Sequence, residues 1–402
     1  MINADKALKL ILQECIALSS EKVKFRNALG RTLAEDIVAT ENIPQFDNSS
    51  MDGFAILSSD VREASRKNPV ALKLVGESSA GNIYGDRLKA GETIRVMTGG
   101  KIPEGADCVV PIEVASTDEK IVRFVAPAKP GAYIRRAGED IKLNEVALGK
   151  GELVGPAQIG VLASLGCTRV EVTKKPAVRI LPTGDELVEV SKTLSDGQIR
   201  NSSSHALVGF VKQAGGKSKV VPIVPDKKKR IRKAIEAALG CDILLITGGV
   251  SVGKYDLVKE ILEELQVEIK FWRVNIKPGK PLVFGKHNDT LVFGLPGNPA
   301  STSVTFLQFV RPAFEKMLGR NPRQPLLLSA ILDEPIVKKD DKRHFVRGIV
   351  TSVKETMHVR TTGTQSSGVM SSMAKANCFI ILPEKSSLLK KGDKVQVELF
   401  KS

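Results

Sequence analysis

The chain has 402 residues, enough for about two or three domains. Lys and Arg number 60 against 45 Asp and Glu, which gives a formal net charge of +15 at pH 7. The 42% hydrophobic content excludes a disordered chain, and no apolar run approaches the roughly 18 residues of a membrane helix. The basic excess fits a solvated surface or a polyanionic small ligand better than nucleic acid, because no nucleic-acid-binding motif is present.

The cysteines and histidines are widely scattered along the chain. An odd count of five cysteines without a CxxC pair excludes a disulfide framework, and four separate histidines argue against a transition-metal centre. The first residues lack the charged-then-apolar order of a signal peptide. We therefore expect a protein of the reducing cytoplasm, with no membrane segment.

The residue pattern in the first half of the chain changes twice, from helical to β-type and back to helical. Apolar residues at helical spacing predict a helix over residues 5–18. Between residues 44 and 140, short β-type runs alternate with Gly, Pro, Asn and Asp turns, which predicts a small all-β module. A helix is predicted over residues 156–165, because Pro begins it and Gly166 follows it.

From residue 176 strands and helices alternate, and this predicts a mostly parallel sheet with helices on both faces. The predicted strands are 177–181, 219–224, 243–247, 281–285 and 290–293. The predicted helices are 204–214, 227–239, 256–265 and 300–318. After residue 322 the helical period disappears, and a second β module is predicted from segments 326–332, 345–350, 358–361, 378–382 and 395–400.

Three of these strands end in glycine-containing loops, at residues 182–186, 248–253 and 295–299. Ligands of open α/β sheets bind beyond the carboxyl ends of strands, where glycines let backbone N–H groups approach an anion. The loops therefore predict an anion site. The second resembles a Walker A motif, but Tyr255 replaces the Ser or Thr that holds magnesium, which argues against a P-loop ATPase. Asp256 fits either a helix N-cap or a metal or ligand contact.

For two further groups of polar turns, the alternative explanation is an ordinary structural turn. The segment Lys-Pro-Gly-Lys-Pro at residues 277–281 places two lysines on a stiff turn, which favours phosphate neutralisation over an ordinary surface turn. The β module carries Asp52-Gly53, Thr98-Gly99 and the polar run 135–140. On their residues alone, these three are typical of structural turns.

The segments together resemble the molybdopterin molybdenumtransferase family, which is related to the C-terminal domain of gephyrin. The motifs occur in the family's order across essentially the whole chain. They are SSMDGFA at 49–55, MTGGKIPEGADCVV at 97–110, RRAGEDI at 135–141, PTGDEL at 182–187, GGVSVGKYD at 248–256, KPGKP at 277–281 and GLPGNP at 294–299.

The resemblance implies a multidomain α/β plus β fold. Its parts would be an elongated helical linker and dimerisation domain (1–45 and 141–175), an inserted β module (46–140), a molybdopterin-binding α/β domain (176–322) and a C-terminal β-barrel (323–402). It also implies a homodimer. The cleft would lie between the third and fourth domains of one subunit and the inserted module of the other.

The implied reaction inserts molybdate into adenylylated molybdopterin, releases AMP and requires a divalent cation, normally Mg²⁺. Transient contacts with molybdopterin adenylyltransferase and with molybdoenzymes would follow. Two alternatives are a non-catalytic scaffold of the same fold, as in animal relatives that anchor receptors, and a molybdopterin adenylyltransferase. The intact acidic positions favour the insertion enzyme over the scaffold.

The resemblance also carries over site residues. The implied catalytic residues are Asp52, Thr98, Asp140, Glu186, Asp242 and Asp256, and three of them, Asp52, Asp242 and Asp256, would position metal or molybdate. Asp242 also fits a structural place before a buried strand. Ser203 departs from the family, since many relatives carry Asn there. The implied cofactor-binding residues are Thr183, Gly184, Asp185, Gly248, Gly249, Ser251, Gly253, Lys277, Gly279, Lys280, Pro296, Gly297, Asn298, Arg347 and Ser367.

Overall fold

The computed structural model describes residues 1–249, 257–322, 325–386 and 388–400. The chain forms two compact units. The larger unit comprises Met1–Lys22, Gly30–Ala34 and Glu171–Ser402, and the smaller unit comprises Val23–Leu29 and Glu35–Val170. The four-domain boundaries implied by the resemblance stay a prediction. Within the described ranges, no helix has both the length and the apolar character needed to cross a bilayer.

The smaller unit is built on a six-stranded sheet, as the alternating β-type runs predicted. Apolar side chains from both faces of the sheet form two clusters, one around Phe54 and Phe124 and one around Ile94 and Val109. A helix at Pro156–Ser164 follows the predicted position. The strand order is Cys108–Pro111, Gly53–Ile56, Glu92–Val96, Val70–Ser78, Ile121–Phe124 and Ala115–Asp118.

The larger unit contains the predicted α/β sheet, with six strands. Its first four strands are parallel and the last two pair antiparallel. The two central strands, Ile243–Thr247 and Thr290–Leu295, are buried along their whole length because helices cover both faces. The strand order is Lys217–Val220, Ala177–Pro182, Ile243–Thr247, Thr290–Leu295, Val283–His287 and Glu268–Phe271.

Helices pack on each face of this sheet. One face carries Ile243 and Leu245 beneath three helical segments, Ala4–Glu14, Ser202–Gln213 and the run that starts at Pro299. The opposite face carries Leu244 and Ile246 beneath two helices, Lys228–Ala238 and Leu257–Glu264.

Three predicted elements differ from those observed. The first helix ends at Glu14 and not at residue 18, because Cys15 is already extended. The strand predicted at 219–224 lies at Lys217–Val220 instead, since Pro222 has no N–H to donate to a ladder. The predicted 300–318 helix contains a π-helical turn, Phe306–Val310, before Arg311–Met317. Pro312 removes one α-helical hydrogen bond, and the wider turn accommodates that loss.

The C-terminal β module is a closed barrel of five strands. Arg343–Val353 pairs with one neighbour on each side, which closes the sheet on itself. Val346, Val359 and Ile380 belong to its buried core. The barrel strands are Leu327–Leu332, Arg343–Val353, Thr356–Thr361, Cys378–Leu382 and Lys394–Leu399.

Candidate functional site

The three glycine-containing loops begin side by side at one edge of the α/β sheet, as predicted. In the parallel register Pro182 lies opposite Thr247, and Thr247 lies opposite Leu295. The chain order also reverses here, because the strand after Ala177–Pro182 lies on one side of it and the next strand on the other. Such a switch point is where open α/β sheets bind ligands.

A pocket of about 320 Å³ opens at this edge. It unites the predicted residues Thr183, Glu186, Gly248 and Gly249 with the third loop. Thr183 donates its backbone N–H to the Thr247 carbonyl at 2.8 Å, which joins the first two loops. The full lining is Thr183, Glu186, Leu187, Ile199, Arg200, Asn201, Ser202, Ser203, Thr247, Gly248, Gly249, Pro281, Pro296, Gly297, Asn298 and Pro299.

Gly248 is required by both conformation and space. Its φ is +86°, in the left-handed region that favours glycine. A Cβ atom there would lie 2.3 Å from the backbone oxygen of Thr183, a contact that real structures do not make. The glycine therefore allows two strand ends to approach closely beneath the pocket.

The helix Ser202–Gln213 begins at the pocket. Its N-cap, Asn201, accepts a hydrogen bond from the Ser204 N–H at 3.3 Å, and Ser202 and Ser203 line the cavity. The positive end of a helix dipole and its free N–H groups favour an anion at this position. Ser203, which departs from the family residue, donates its hydroxyl to the Gly297 carbonyl at 3.1 Å.

Three carboxylates gather beside the pocket. Asp185 accepts the backbone N–H of Asp226 at 3.1 Å, and the Glu186 carboxylate folds back over Gly184. Partial burial, and then the negative charges of Asp185 and Glu186, raise the pKa of Asp226. Burial and the repulsion within this cluster therefore favour the protonated form of Asp226.

The barrel contributes one rim of the site. Asn298 donates its side-chain amide to the Ser367 hydroxyl at 3.0 Å, and the Ala300 N–H donates to the Ser367 carbonyl at 3.0 Å. Arg347 is only 1% exposed. Its guanidinium donates to the Ser366 carbonyl and the Ser372 hydroxyl, so it supports the Ser367 segment from below. Burial lowers the pKa of Arg347 to about 10.

The Lys-Pro-Gly-Lys-Pro segment runs from the barrel to the pocket. Ile276–Lys277 pairs with Arg343–His344 of the barrel, and Pro281 lines the cavity. Lys277 is largely exposed, with its ammonium 3.7 Å from an Asp340 carboxylate oxygen. Gly279 has a φ of +106°, and a Cβ there would lie 2.6 Å from a Thr305 methyl group.

Asp242 is not brought to this site. It precedes the strand Ile243–Thr247, at the amino edge of the sheet, roughly 16 Å from the pocket along a five-residue strand. Its carboxylate accepts the Ala177 N–H at 2.6 Å. This is the structural place that the sequence left open for Asp242. Three other predicted residues, Ser251, Gly253 and Asp256, lie outside the described residues.

The remaining predicted acids belong to the smaller unit. One oxygen of the exposed Asp52 carboxylate accepts both the backbone N–H and the hydroxyl of Thr98, each at 2.7 Å. These two bonds lower the pKa of Asp52, so its carboxylate is ionised at neutral pH. Asp140 is exposed, and its backbone N–H donates to the Ile43 carbonyl at 3.0 Å.

Several pocket residues were not predicted from the sequence. Asn201 had a detectable signal, because an Asn just before a predicted helix is a common N-cap. Asp226 lies beside the pocket and not in its lining; it was not singled out, although it comes two residues after the predicted strand 219–224. No site role was predicted for four further lining residues, Ile199, Arg200, Ser202 and Thr247. Leu187, Pro281 and Pro299 occur within motifs and Ser203 departs from the family, but none of the four was assigned a role.

Comparison with known proteins covers the whole chain. Family profiles match the MoeA N-terminal region (domain I and II) over residues 2–166, a probable molybdopterin binding domain over 179–316 and the MoeA C-terminal region (domain IV) over 329–400. A Haemophilus influenzae protein named molybdopterin molybdenumtransferase is 35% identical over 405 residues, which cover 100% of this chain and 99% of that protein.

Two further relatives match the chain over its full length. A Bacillus subtilis protein of the same name is 35% identical, with 100% of this chain and 94% of that protein covered. The crystal structure of the molybdopterin biosynthesis moeA protein from Pyrococcus horikoshii OT3 superposes with a TM-score of 0.86 at 32% identity, over 100% of both chains. The chain belongs to the molybdopterin molybdenumtransferase family.

Proposed function

We propose that this protein inserts molybdate into adenylylated molybdopterin and releases AMP, which yields molybdenum cofactor. The pocket at the switch point carries the proposal. It presents glycine-lined backbone and a helix N-terminus to an anion, and the substrate is a pyrophosphate ester. The family relatives' name supports the molybdenum transfer, and the anion-binding geometry supports the nucleotide end of the substrate.

Each group around the pocket would have a defined task. The loop at Gly248 and Gly249 and the helix end at Ser202 would bind phosphate oxygens through N–H groups. Lys280 would add positive charge near Pro281. Lys277 would do the same after exchanging its Asp340 partner for phosphate. Because such a site is preorganised, it lowers the barrier by holding charge and geometry ready before the anhydride breaks.

A magnesium ion fits the acid cluster on chemical grounds. Mg²⁺ prefers carboxylate and phosphate oxygens and keeps several waters, so one or two carboxylates suffice. Asp226 and Glu186 would hold it. Burial, and then the charges of Asp185 and Glu186, raise the pKa of Asp226, and a cation would offset the part that comes from those charges. Among the described residues, no group of three His, Cys, Asp or Glu side chains forms a protein-only metal site. When bound, the ion would neutralise charge on the pyrophosphate.

The smaller unit would supply the Asp52–Thr98 pair. The ionised Asp52 carboxylate, oriented by two hydrogen bonds from Thr98, would orient molybdate through protons of the oxyanion or bound water. We further propose a homodimer in which this pair acts on substrate held by the other copy. Asp140, exposed on the same unit, would assist it. The cytoplasm, as the reducing compartment, would keep the dithiolene substrate and the free cysteines reduced.

The decisive assay supplies adenylylated molybdopterin and molybdate to the purified protein and measures AMP and active cofactor. Molybdate-dependent AMP release supports insertion. Adenylylation of free molybdopterin from ATP supports the adenylyltransferase alternative. If the protein binds the substrate but shows neither activity, the scaffold alternative is supported.

The dimer proposal has its own test. Two variants, Asp52→Ala and Asp226→Asn, are co-expressed with different tags, and the mixed dimer is isolated through both tags. If sites are shared between copies, the mixed dimer retains one site with both residues intact and recovers activity that neither parent has. A mixed dimer as inactive as its parents contradicts a shared site.

A further inference from the structure

A segment at the pocket rim has few anchors. Residues 189–198, here called the strap, connect two short strands, Leu187–Val188 and Ile199–Arg200, which pair in parallel with each other. Within the strap, the Lys192 N–H donates to the Glu189 carbonyl at 3.1 Å, so this bond is internal. In the part of the chain that the structure describes, hydrogen bonds from outside the strap reach it from Arg200 alone.

Arg200 makes these anchoring bonds while it lines the pocket. Its Nε donates to the Val190 carbonyl at 3.0 Å, and one Nη donates to the Lys192 carbonyl at 3.2 Å. Carbonyl oxygens orient a guanidinium but do not cancel its charge. Arg200 therefore brings a positive charge to the pocket lining while two of its N–H groups are used by the strap.

The strap also carries apolar side chains that the protein leaves in solvent. Val190 is 52% exposed and Leu194 is 42% exposed, and the adjoining Ile199 is 54% exposed beside the cavity. Singly exposed apolar residues are ordinary. Of these three residues, Ile199 lines the pocket, and the other two lie on the strap that Arg200 anchors.

We propose that Arg200 is a substrate-binding residue that also anchors the strap: it holds the strap at the pocket mouth and binds a phosphate of the substrate with its remaining donors. The planar guanidinium offers five donors in a rigid fork, so one edge can hold two carbonyls while another faces an anion. A lysine at this position would keep the charge but would not bridge both carbonyls. This inference deepens the proposed function and rests on it for the identity of the substrate.

Two substitutions separate the fastening from the charge. Arg200→Lys keeps the positive charge and loses the pair of hydrogen bonds to the Val190 and Lys192 carbonyls, whereas Arg200→Gln loses both the charge and the pair of bonds. The matched control is Arg230→Gln, which removes an exposed arginine on the helix Lys228–Ala238, away from the pocket lining. Steady-state kinetics with adenylylated molybdopterin give KM and kcat, and mass spectrometry follows trypsin cleavage after Lys192 with and without inorganic pyrophosphate.

We expect both Arg200 variants to be cleaved after Lys192 about tenfold faster than the wild type, because the pair of hydrogen bonds that holds the strap is lost. Arg200→Gln should raise KM about tenfold, Arg200→Lys only about threefold, and kcat should change less than about twofold in each. Pyrophosphate should slow cleavage of the wild type and not of Arg200→Gln. The control should match the wild type throughout.

Cleavage after Lys192 at the wild-type rate in both Arg200 variants would overturn the fastening role. An unchanged KM and an unchanged response to pyrophosphate in Arg200→Gln would overturn the phosphate-binding role. If the wild type releases no AMP, the proposed function fails. The cleavage assay with and without pyrophosphate still tests both roles of Arg200, since it needs no turnover.

Discussion

The two edges of the α/β sheet carry similar residues and use them in opposite ways. At the amino edge, the Asp242 carboxylate accepts the Ala177 N–H, and Gly240 turns the chain with open space around it. At the carboxyl edge, Gly248 packs against the Thr183 backbone, and burial together with the charges of Asp185 and Glu186 raises the pKa of Asp226. At the amino edge the Asp242 carboxylate holds a neighbouring strand, whereas at the carboxyl edge Gly248 lines the pocket and the Asp226 carboxylate lies beside it.

The largest expected difference is between two glycine substitutions. Gly248 and Gly240 have φ values of +86° and +90°, so alanine is strained by a similar amount at both. Only Gly248→Ala also places a methyl group 2.3 Å from a backbone oxygen. We expect Gly248→Ala to lose about 1000-fold in kcat/KM and Gly240→Ala less than about threefold.

Circular dichroism and thermal unfolding of both variants accompany the kinetics, because Gly248→Ala can also lower stability. Activity is therefore expressed per folded molecule. Equal losses in the two variants would contradict the close packing assigned to the carboxyl edge.

The second contrast concerns the two aspartates. Asp226→Asn should lower kcat by about 100-fold with little change in stability, since it removes charge beside the pocket. Asp242→Ala should lower the free energy of unfolding by about 1 kcal/mol, because the Ala177 N–H loses its acceptor. Its activity per folded molecule should remain. Loss of activity in folded Asp242→Ala would restore the catalytic role implied by the family resemblance.

This pair also illustrates what sequence reasoning could and could not reach. Apolar runs followed by glycine loops predicted a parallel sheet whose three strand ends share an edge, since hydrophobic pattern and turn chemistry are local properties. Which aspartate lies at which edge depends on where the strand before Pro222 stops and where the chain goes next. Pairing of Thr183 with Val224 brings Asp226 back to the pocket, and no local pattern records that pairing.

Local sequence patterns also could not predict how residues from different elements come together at the site. Arg347 and Ser367 were carried over from motifs, but their arrangement, with a buried guanidinium supporting the segment that touches Asn298, needs the packed barrel. A homodimer and a shared cleft stay predictions, because they depend on contacts between copies.

The third contrast compares lysines at the two edges. Lys280 precedes the pocket residue Pro281, whereas Lys219 lies on the amino-edge side, lining a separate pocket with Arg179. Lys280→Gln should weaken AMP binding about tenfold at about 50 mM salt and less at about 500 mM, because salt screens exposed charges. Lys219→Gln should leave AMP affinity unchanged at both. Calorimetric titration measures this, and a salt-independent loss would argue against an electrostatic role for Lys280.

The smallest expected effect is a pH dependence of stability that originates at Asp226. An acid with a raised pKa holds its proton more tightly in the folded chain than in the unfolded one. Its ionisation therefore costs stability, and the free energy of unfolding falls as pH rises from the ordinary pKa of 3.8 through the raised value. Urea unfolding at a series of pH values should show this fall in the wild type and a smaller one in Asp226→Asn.

Magnesium sharpens the same measurement. A cation held by Asp226 and Glu186 would offset the repulsion that, after burial, contributes to the raised pKa of Asp226, so MgCl₂ should increase the free energy of unfolding of the wild type above that pKa. Asp226→Asn, with one fewer charge, should respond less. The two edges would then differ in a property that needs no substrate: only the carboxyl edge would couple stability to a divalent cation. An equal response of wild type and Asp226→Asn would place the cation elsewhere.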